Sequence, residues 1–206
     1  MRIFTAVIST LLAAIPLAAQ EQKQSWNFDL DSLGTLPRGF TAEVGEWKVV
    51  ADTTAPSRSK ALAQVAENSG STYNLVLVSD TTFQDMELSV KVKAVAGEED
   101  QGGGLVWRAR DAENYYIARY NPLEDNYRVY KVEKGRRTQF QSATAKLDPG
   151  WHTLRVMMKD DHIQCYLDGK LYLDVRAPTF PEAGRIGLWT KADAQTHFDD
   201  LVVAGH

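Results

Sequence analysis

Between residues 86 and 93 the chain alternates without a break: Met86, Leu88, Val90 and Val92 interleave with Glu87, Ser89, Lys91 and Lys93. One apolar residue at every second position gives a segment one face to bury and one to leave wet. That is the requirement of a strand on a core, and the 3.6-residue repeat of a helix does not meet it. The same period recurs in segments 46–50, 61–66, 73–78, 105–110, 115–120, 127–132, 138–142, 153–158, 163–167, 171–175, 185–190 and 197–203. After Trp26 no window of eleven or more residues carries a capped helical stripe. Turn chemistry separates the segments, as in Arg110-Asp111-Ala112-Glu113-Asn114, Asp148-Pro149-Gly150 and Asp168-Gly169; the last is the strongest hairpin signal. Short strands joined by regular turns predict an all-β chain, an antiparallel two-sheet jelly-roll sandwich.

The first twenty residues set an expected destination. Arg2 precedes a mostly apolar stretch from Ile3 to Leu17, and Ala18, Ala19 and Gln20 follow. That order is a secretory signal peptide over residues 1–20, with cleavage expected near Ala19 or Gln20. The segment is too short and proline-interrupted for a spanning helix, and later apolar runs such as Leu75 to Val78 have only strand length. The expectation is export to the periplasm or beyond, with no membrane insertion. Residues 21–206 then form one domain, after a short disordered tail over 20–25.

Removing Arg2 from the 23 basic residues leaves 22 against 27 acidic ones, spread without long blocks, which argues against a nucleic-acid partner. Cys165 is the single cysteine, so no internal disulfide can form and the core alone must hold the fold. A chain of about 186 residues can bury enough apolar surface to do so. Cys165 shares the phase of Ile163 and Leu167, which predicts a buried, inert thiol.

Six stretches carry a family resemblance: WNFDLDSLGTLPRGFTAEVGEWKV, GGGLVWRARDAENYYIARYNPLEDNYRVYKVEKGRR, GWHTLRV, IQCYLDGKLYLDV, GRIGLWTKAD and FDDLVV. In this order the chain resembles secreted members of the laminin-G-like, concanavalin A-like superfamily, closest to the 3-keto-disaccharide hydrolase-like domains. The resemblance implies a concanavalin A-like sandwich and a carbohydrate partner. It leaves the activity open, because that superfamily holds lectins, hydrolases, lyases and adhesion modules.

Glycosidases of the superfamily often place their carboxylates on one strand as E-x-D-x-E, and this sequence has no such run. There is also no G-x-S-x-G elbow, no phosphate loop and no histidine pair at zinc spacing. Action on a 3-keto sugar starts differently, by removing the proton next to the ketone, so a single base suffices. The affirmative signal is aromatic and basic. With Leu105, Ile117, Val129, Ile163 and Ile186 taken as core markers, the opposite phase carries Arg108, Arg110, Tyr116, Tyr120, Arg128, Tyr130, Tyr166 and Trp189. Rings stack on the apolar faces of sugars and arginines donate to hydroxyls. Arg108, Arg110, Tyr116, Tyr130 and Trp189 are therefore the candidate ligand-binding residues. The architecture also implies a structural calcium where first and last strands meet, with Asp29/Asp31 and Asp199/Asp200 as the acidic pairs and Asp200 in FDDLVV as the foremost ligand. Three functions stay open: a carbohydrate-binding domain using a concave sheet face, a glycoside hydrolase acting on 3-keto-disaccharides, and a protein-binding adhesion module.

Overall fold

The computed structural model describes residues 22–206. The signal peptide and its cleavage site lie outside the described residues. The described residues form fifteen strands and no helix: β1 (Gln22–Trp26), β2 (Phe40–Val44), β3 (Trp47–Ala51), β4 (Lys60–Gln64), β5 (Tyr73–Val78), β6 (Met86–Ala96), β7 (Gly103–Asp111), β8 (Asn114–Asn121), β9 (Asn126–Glu133), β10 (Arg136–Thr144), β11 (His152–Lys159), β12 (His162–Leu167), β13 (Lys170–Arg176), β14 (Arg185–Lys191) and β15 (Gln195–Gly205). They build two antiparallel sheets. The eight-stranded sheet runs β13-β12-β11-β6-β15-β4-β3, with β1 pairing β15 beyond the end of β4, and the seven-stranded sheet runs β10-β9-β8-β7-β14-β5-β2. No helix among the described residues is long and apolar enough to cross a membrane.

The alternation of β6 does what its sequence asks: Met86, Leu88, Val90 and Val92 are buried, while Glu87, Ser89, Lys91 and Lys93 face outward. Leu154, Val156, Ile163, Cys165 and Phe198 join that inner face. Leu105, Trp107, Tyr116, Val129 and Leu188 meet it from the seven-stranded sheet. Each such side chain contributes roughly 1.5–3 kcal/mol by leaving water, the main driving force of a fold without a disulfide.

β1 and β8, like β2, depart from the sequence reading. From Gln22 on, the stretch read as a disordered tail is β1, whose Gln24 and Trp26 turn in while Lys23 and Ser25 face out, covering the edge of β15 that β4 leaves open. In β8 both faces are buried, so its aliphatic phase is not its core phase. Tyr116, Ala118 and Tyr120 point between the sheets, and Ile117 lies on the other face with Tyr115.

The seven-stranded sheet is strongly curved, and its outer face is concave. The guanidinium carbon of Arg137 on β10 lies 5.7 Å from the ring centre of Trp189 on β14 and 5.3 Å from that of Tyr73 on β5. Three strands separate β10 from β14, a spacing of about 19 Å in a flat sheet, so the contact requires the sheet to fold towards itself.

Candidate functional site

The hairpin β8–β9 pairs Tyr115 with Val132, Ile117 with Tyr130, Arg119 with Arg128 and Asn121 with Asn126. All eight side chains share the concave face. Next to Arg119 stands Gly104 of β7, itself paired with Trp189 of β14. The face has two halves.

The first half is ionic. Arg119, only 2% exposed, reaches Glu124 through Nη2 at 3.1 Å and has Nη1 3.5 Å from Asp100. Glu124, in the hairpin turn, also takes bonds from Arg128 Nη1 at 3.0 Å and from the Asn126 amide at 2.8 Å. Asp100 takes bonds from Lys191 Nζ at 3.0 Å and from the Asn121 amide at 2.7 Å. Lys191, Asp100, Arg119, Glu124 and Arg128 thus alternate in sign along the face, three cations against two carboxylates. Partial burial alone would push the Glu124 carboxyl up, but Asn126, Arg119 and Arg128 hold it below the ordinary glutamate value. Glu124 and Arg128 stay open to solvent, with 45% and 30% of their side chains exposed.

The loop that presents Asp100 is anchored from below. The Asp193 carboxylate accepts three successive backbone N–H groups, those of Glu98, Glu99 and Asp100, at 2.5 to 3.2 Å. Gly97 at φ 140° makes the turn, and a Cβ there would lie 2.0 Å from the Asp100 carbonyl oxygen, so only glycine fits.

The second half is aromatic. Tyr73 and Trp189 have ring centres 5.5 Å apart, and Trp189 Nε1 donates to the Tyr115 hydroxyl at 3.1 Å. Arg137 caps the rings, 4.5 Å from the centre of Tyr130. Nε and Nη1 of Arg119, Nη1 of Arg137 and the Tyr130 hydroxyl are buried and have no hydrogen-bond partner among the described residues. Trp107 Nε1 and the Tyr127 hydroxyl, between the sheets, share that condition, but only the groups on the concave face lie where a polar ligand could meet them.

The sequence-derived candidates divide. Tyr130 and Trp189 lie on the concave face, where Arg137 and neighbouring rings cover them. Tyr116 lies between the sheets, its hydroxyl donating to the Ala177 carbonyl at 2.6 Å and accepting from the Phe180 amide at 2.8 Å. Arg108 also turns inward, because a bulge after Trp107 sets it at φ 47° and puts it on the core side. Its guanidinium binds the carbonyls of Gln84, Phe180 and Asp160 at 2.7 to 3.0 Å and ties one end of the sandwich together. Arg110 is exposed at that same end, 5.3 Å from the Phe180 ring centre. Arg119, Asp100, Glu124, Lys191 and Arg137 escaped the sequence reading. Counting pairs outward from the turn in NYYIARYNPLEDNYRVYK would have set Arg119 opposite Arg128 with Glu124 between them.

Asp200 is placed away from any acidic cluster. It lies at φ 46° in a bulge of β15 and faces a groove on the eight-stranded sheet with Lys23, Lys91 and Thr153. Asp199 is buried instead, beside Ser57, whose amide it accepts at 2.8 Å. The carbonyls of Asp29 and Asp31 accept from Lys60 Nζ at 2.9 and 2.7 Å. Among the described residues no three His, Cys, Asp or Glu side chains converge as metal ligands.

A separate titratable cluster sits on that outer face. Asp52 accepts from Lys93 and, at 2.9 Å, from the Thr54 amide, and it pairs with His197 Nδ1 at 2.7 Å. Burial alone would push the Asp52 carboxyl up, but the bonds from Lys93, Thr54 and His197 hold it far below the ordinary aspartate value. The ionised carboxylate can only accept, so Nδ1 carries the proton. Burial pulls the His197 pKa down by more than Asp52 raises it.

Residues 34–204 match the model of the 3-keto-alpha-glucoside-1,2-lyase-like domain. The chain belongs to that family. The resemblance read from its motifs is borne out, and the family spans both sheets of the fold. No curated protein matches the sequence. Among solved structures, the carbohydrate-binding module CBM66 from Bacillus subtilis is 21% identical, with a TM-score of 0.67 over 79% of this chain and 93% of the module. A protein of unknown function with a galectin-like fold, also from Bacillus subtilis, is 12% identical, with a TM-score of 0.60 over 81% and 90% of the two chains. A putative glycosyl hydrolase from Parabacteroides distasonis is 15% identical, with a TM-score of 0.51 over 81% and 99%. At these identities the likeness is one of fold: the antiparallel, concanavalin A-like jelly roll expected from the sequence.

Proposed function

We propose that the concave face of the seven-stranded sheet binds carbohydrate, and that this domain of the 3-keto-alpha-glucoside-1,2-lyase-like family acts outside the cytoplasm. The observation that carries the reading is the ionic row Lys191, Asp100, Arg119, Glu124 and Arg128 beside a cluster of aromatic rings on one concave surface. A sugar hydroxyl both donates and accepts. Glu124 offers acceptors, Arg128 and Lys191 offer donors, and all three reach solvent, while Arg119 beneath holds Glu124 and Asp100, the carboxylates that Arg128 and Lys191 pair with. The likeness to a carbohydrate-binding module supports the same reading.

Family membership favours a second reading of this site, elimination from a 3-keto-α-glucoside. Glu124 is held ionised and stands beside two guanidiniums, so it can take the proton from C2 while Arg119 and Arg128 bear the charge on the C3 oxygen. The electron pair then forms the C1–C2 double bond, the C1–O bond breaks, and the departing alcohol oxygen takes a proton from water.

One titration tests both readings, with methyl α-D-glucopyranoside and its 3-keto derivative followed by calorimetry and by ultraviolet absorbance. Binding should appear for at least one ligand, and Glu124→Gln and Arg128→Ala should each weaken it by about 1–3 kcal/mol. Elimination would add the absorbance of a conjugated enone, and Glu124→Gln should abolish it. Heat without absorbance leaves binding alone, and no heat with either ligand overturns the reading of the site.

A further inference from the structure

Trp189 presents a difficulty for any sugar-binding reading, because a ring that stacks on a pyranose must be reachable and this one is fully buried. Neighbouring rings cover its flanks, and across them lies a side chain from another part of the sheet. The Arg137 guanidinium sits against three rings at once, 4.5 Å from the centre of Tyr130, 5.3 Å from Tyr73 and 5.7 Å from Trp189. Tyr73 comes from β5, Trp189 from β14 and Tyr130 from β9, so the rings form a cage that only the curvature of the sheet assembles.

We propose that Tyr73, Tyr130 and Trp189 form a ring-stacking subsite of the glycan site, and that Arg137 is its built-in occupant, exchanged for the apolar face of a pyranose. The inference rests on the glycan-binding reading above and adds where the ring of the sugar lies and what it displaces.

Arg137 is half-buried, with Nη1 fully covered, and its guanidinium is held weakly. It forms no ion pair among the described residues, so the rings are its main partners, and cation–π contacts are individually modest. Closure also leaves Arg137 Nη1 and the Tyr130 hydroxyl buried without partners. Unpaired buried donors are costly, so the closed arrangement is incompletely satisfied. A pyranose over the same rings keeps the aromatic contact through its C–H face and brings hydroxyls to Tyr130, while the freed guanidinium regains water.

The local architecture permits the exchange. β10 is the terminal strand of its sheet, paired only with β9 and shifted in register between Gln139 and Gln141, and Lys134 and Arg136 beside it are exposed. Arg137 can therefore swing out without opening the core between the sheets. Trp189 has Leu75 as its cross-strand partner on β5 but Gly104 on β7, with Gly187 two residues away on the same face, so no side chain stands over it on the β7 side. The cage is also continuous with the ionic row, since Arg128 precedes Tyr130 by two residues on the same face of β9.

The test compares wild type with Arg137→Ala in calorimetric titrations of methyl α-D-glucopyranoside. Removing a competing occupant raises the fraction of open sites, so affinity should rise about tenfold, and a further Trp189→Leu change should cancel the gain. Affinity that is unchanged or weaker in Arg137→Ala overturns the proposal. If neither form binds the glucoside, the glycan reading fails, and tetramethylammonium then judges the cage by itself. It should quench tryptophan fluorescence in Arg137→Ala and leave wild type unaffected, and an Arg137→Ala protein that ignores it has no openable cage. Arg137→Thr, suited to an edge strand, replaces the alanine variant if that chain does not fold.

Discussion

Arg108 and Arg119 are equally buried, and the backbone decides what each does. Arg108, turned inward by a bulge, directs its donors to carbonyls at the end of the sandwich, whereas Arg119 keeps two nitrogens without a hydrogen bond on the concave face. No period-two count distinguishes them, because the bulge shifts the count by one after Trp107. Tyr116 was misplaced for a related reason: on a strand buried from both sides, Ile117 and its neighbours are both apolar, and sequence phase cannot say which face is the core. Tyr130 and Trp189 were legible because Val129 on one strand and Ile186 and Leu188 on the other are true inner residues. His197 supplies a test at this scale. Its pKa is lowered on folding, chiefly by burial, so its contribution to stability is present above the unfolded value of about 6.5 and is lost as pH falls towards the folded value. The depressed Asp52 acts in the same direction but only at lower pH, below about 3.8. Urea melts should thus show wild type losing stability between neutral pH and pH 5, and His197→Gln losing clearly less over that interval.

Among the elements, β6 announces itself because one of its faces is wet, while β2 and β1 do not. β2 is exposed over its middle and bulged between Ala42 and Val44, and β1 is a strand only by pairing with β15, a partner 175 or more residues away in sequence. Strand identity there is a tertiary fact, and local pattern cannot contain it. The loop between β6 and β7 behaves similarly. Glu98, Glu99 and Asp100 are three acidic residues in a row, and Asp193 collects their amides and thereby fixes Asp100 against Arg119 and Lys191. Asp193→Ala should cost about 1–3 kcal/mol in denaturant melts. Hydrogen exchange should speed up at the amides of 98–100 before it does in the flanking strands. Unchanged exchange there would mean that the loop is held by other contacts.

Over the whole molecule, the two sheets close on one core that excludes Cys165 from solvent, and burial pushes its thiol well above the ordinary cysteine value. A thiol reagent should therefore modify Cys165 at the rate of global opening, rising with denaturant in parallel with unfolding. Rapid labelling of the native protein would show that β12 opens locally.

The Lys60 ammonium seated on the carbonyls of Asp29 and Asp31 has a consequence at the same scale. A dissolved ion that bridges two segments stabilises a fold only in proportion to its supply, through the logarithm of its concentration over its dissociation constant. A positive charge carried on the chain's own fourth strand has a fixed effective concentration. The stitch that joins the 29–31 turn to β4 is therefore always loaded: chelators and dilution cannot strip it, and a single change at Lys60 would make those carbonyls depend on what the surrounding medium provides.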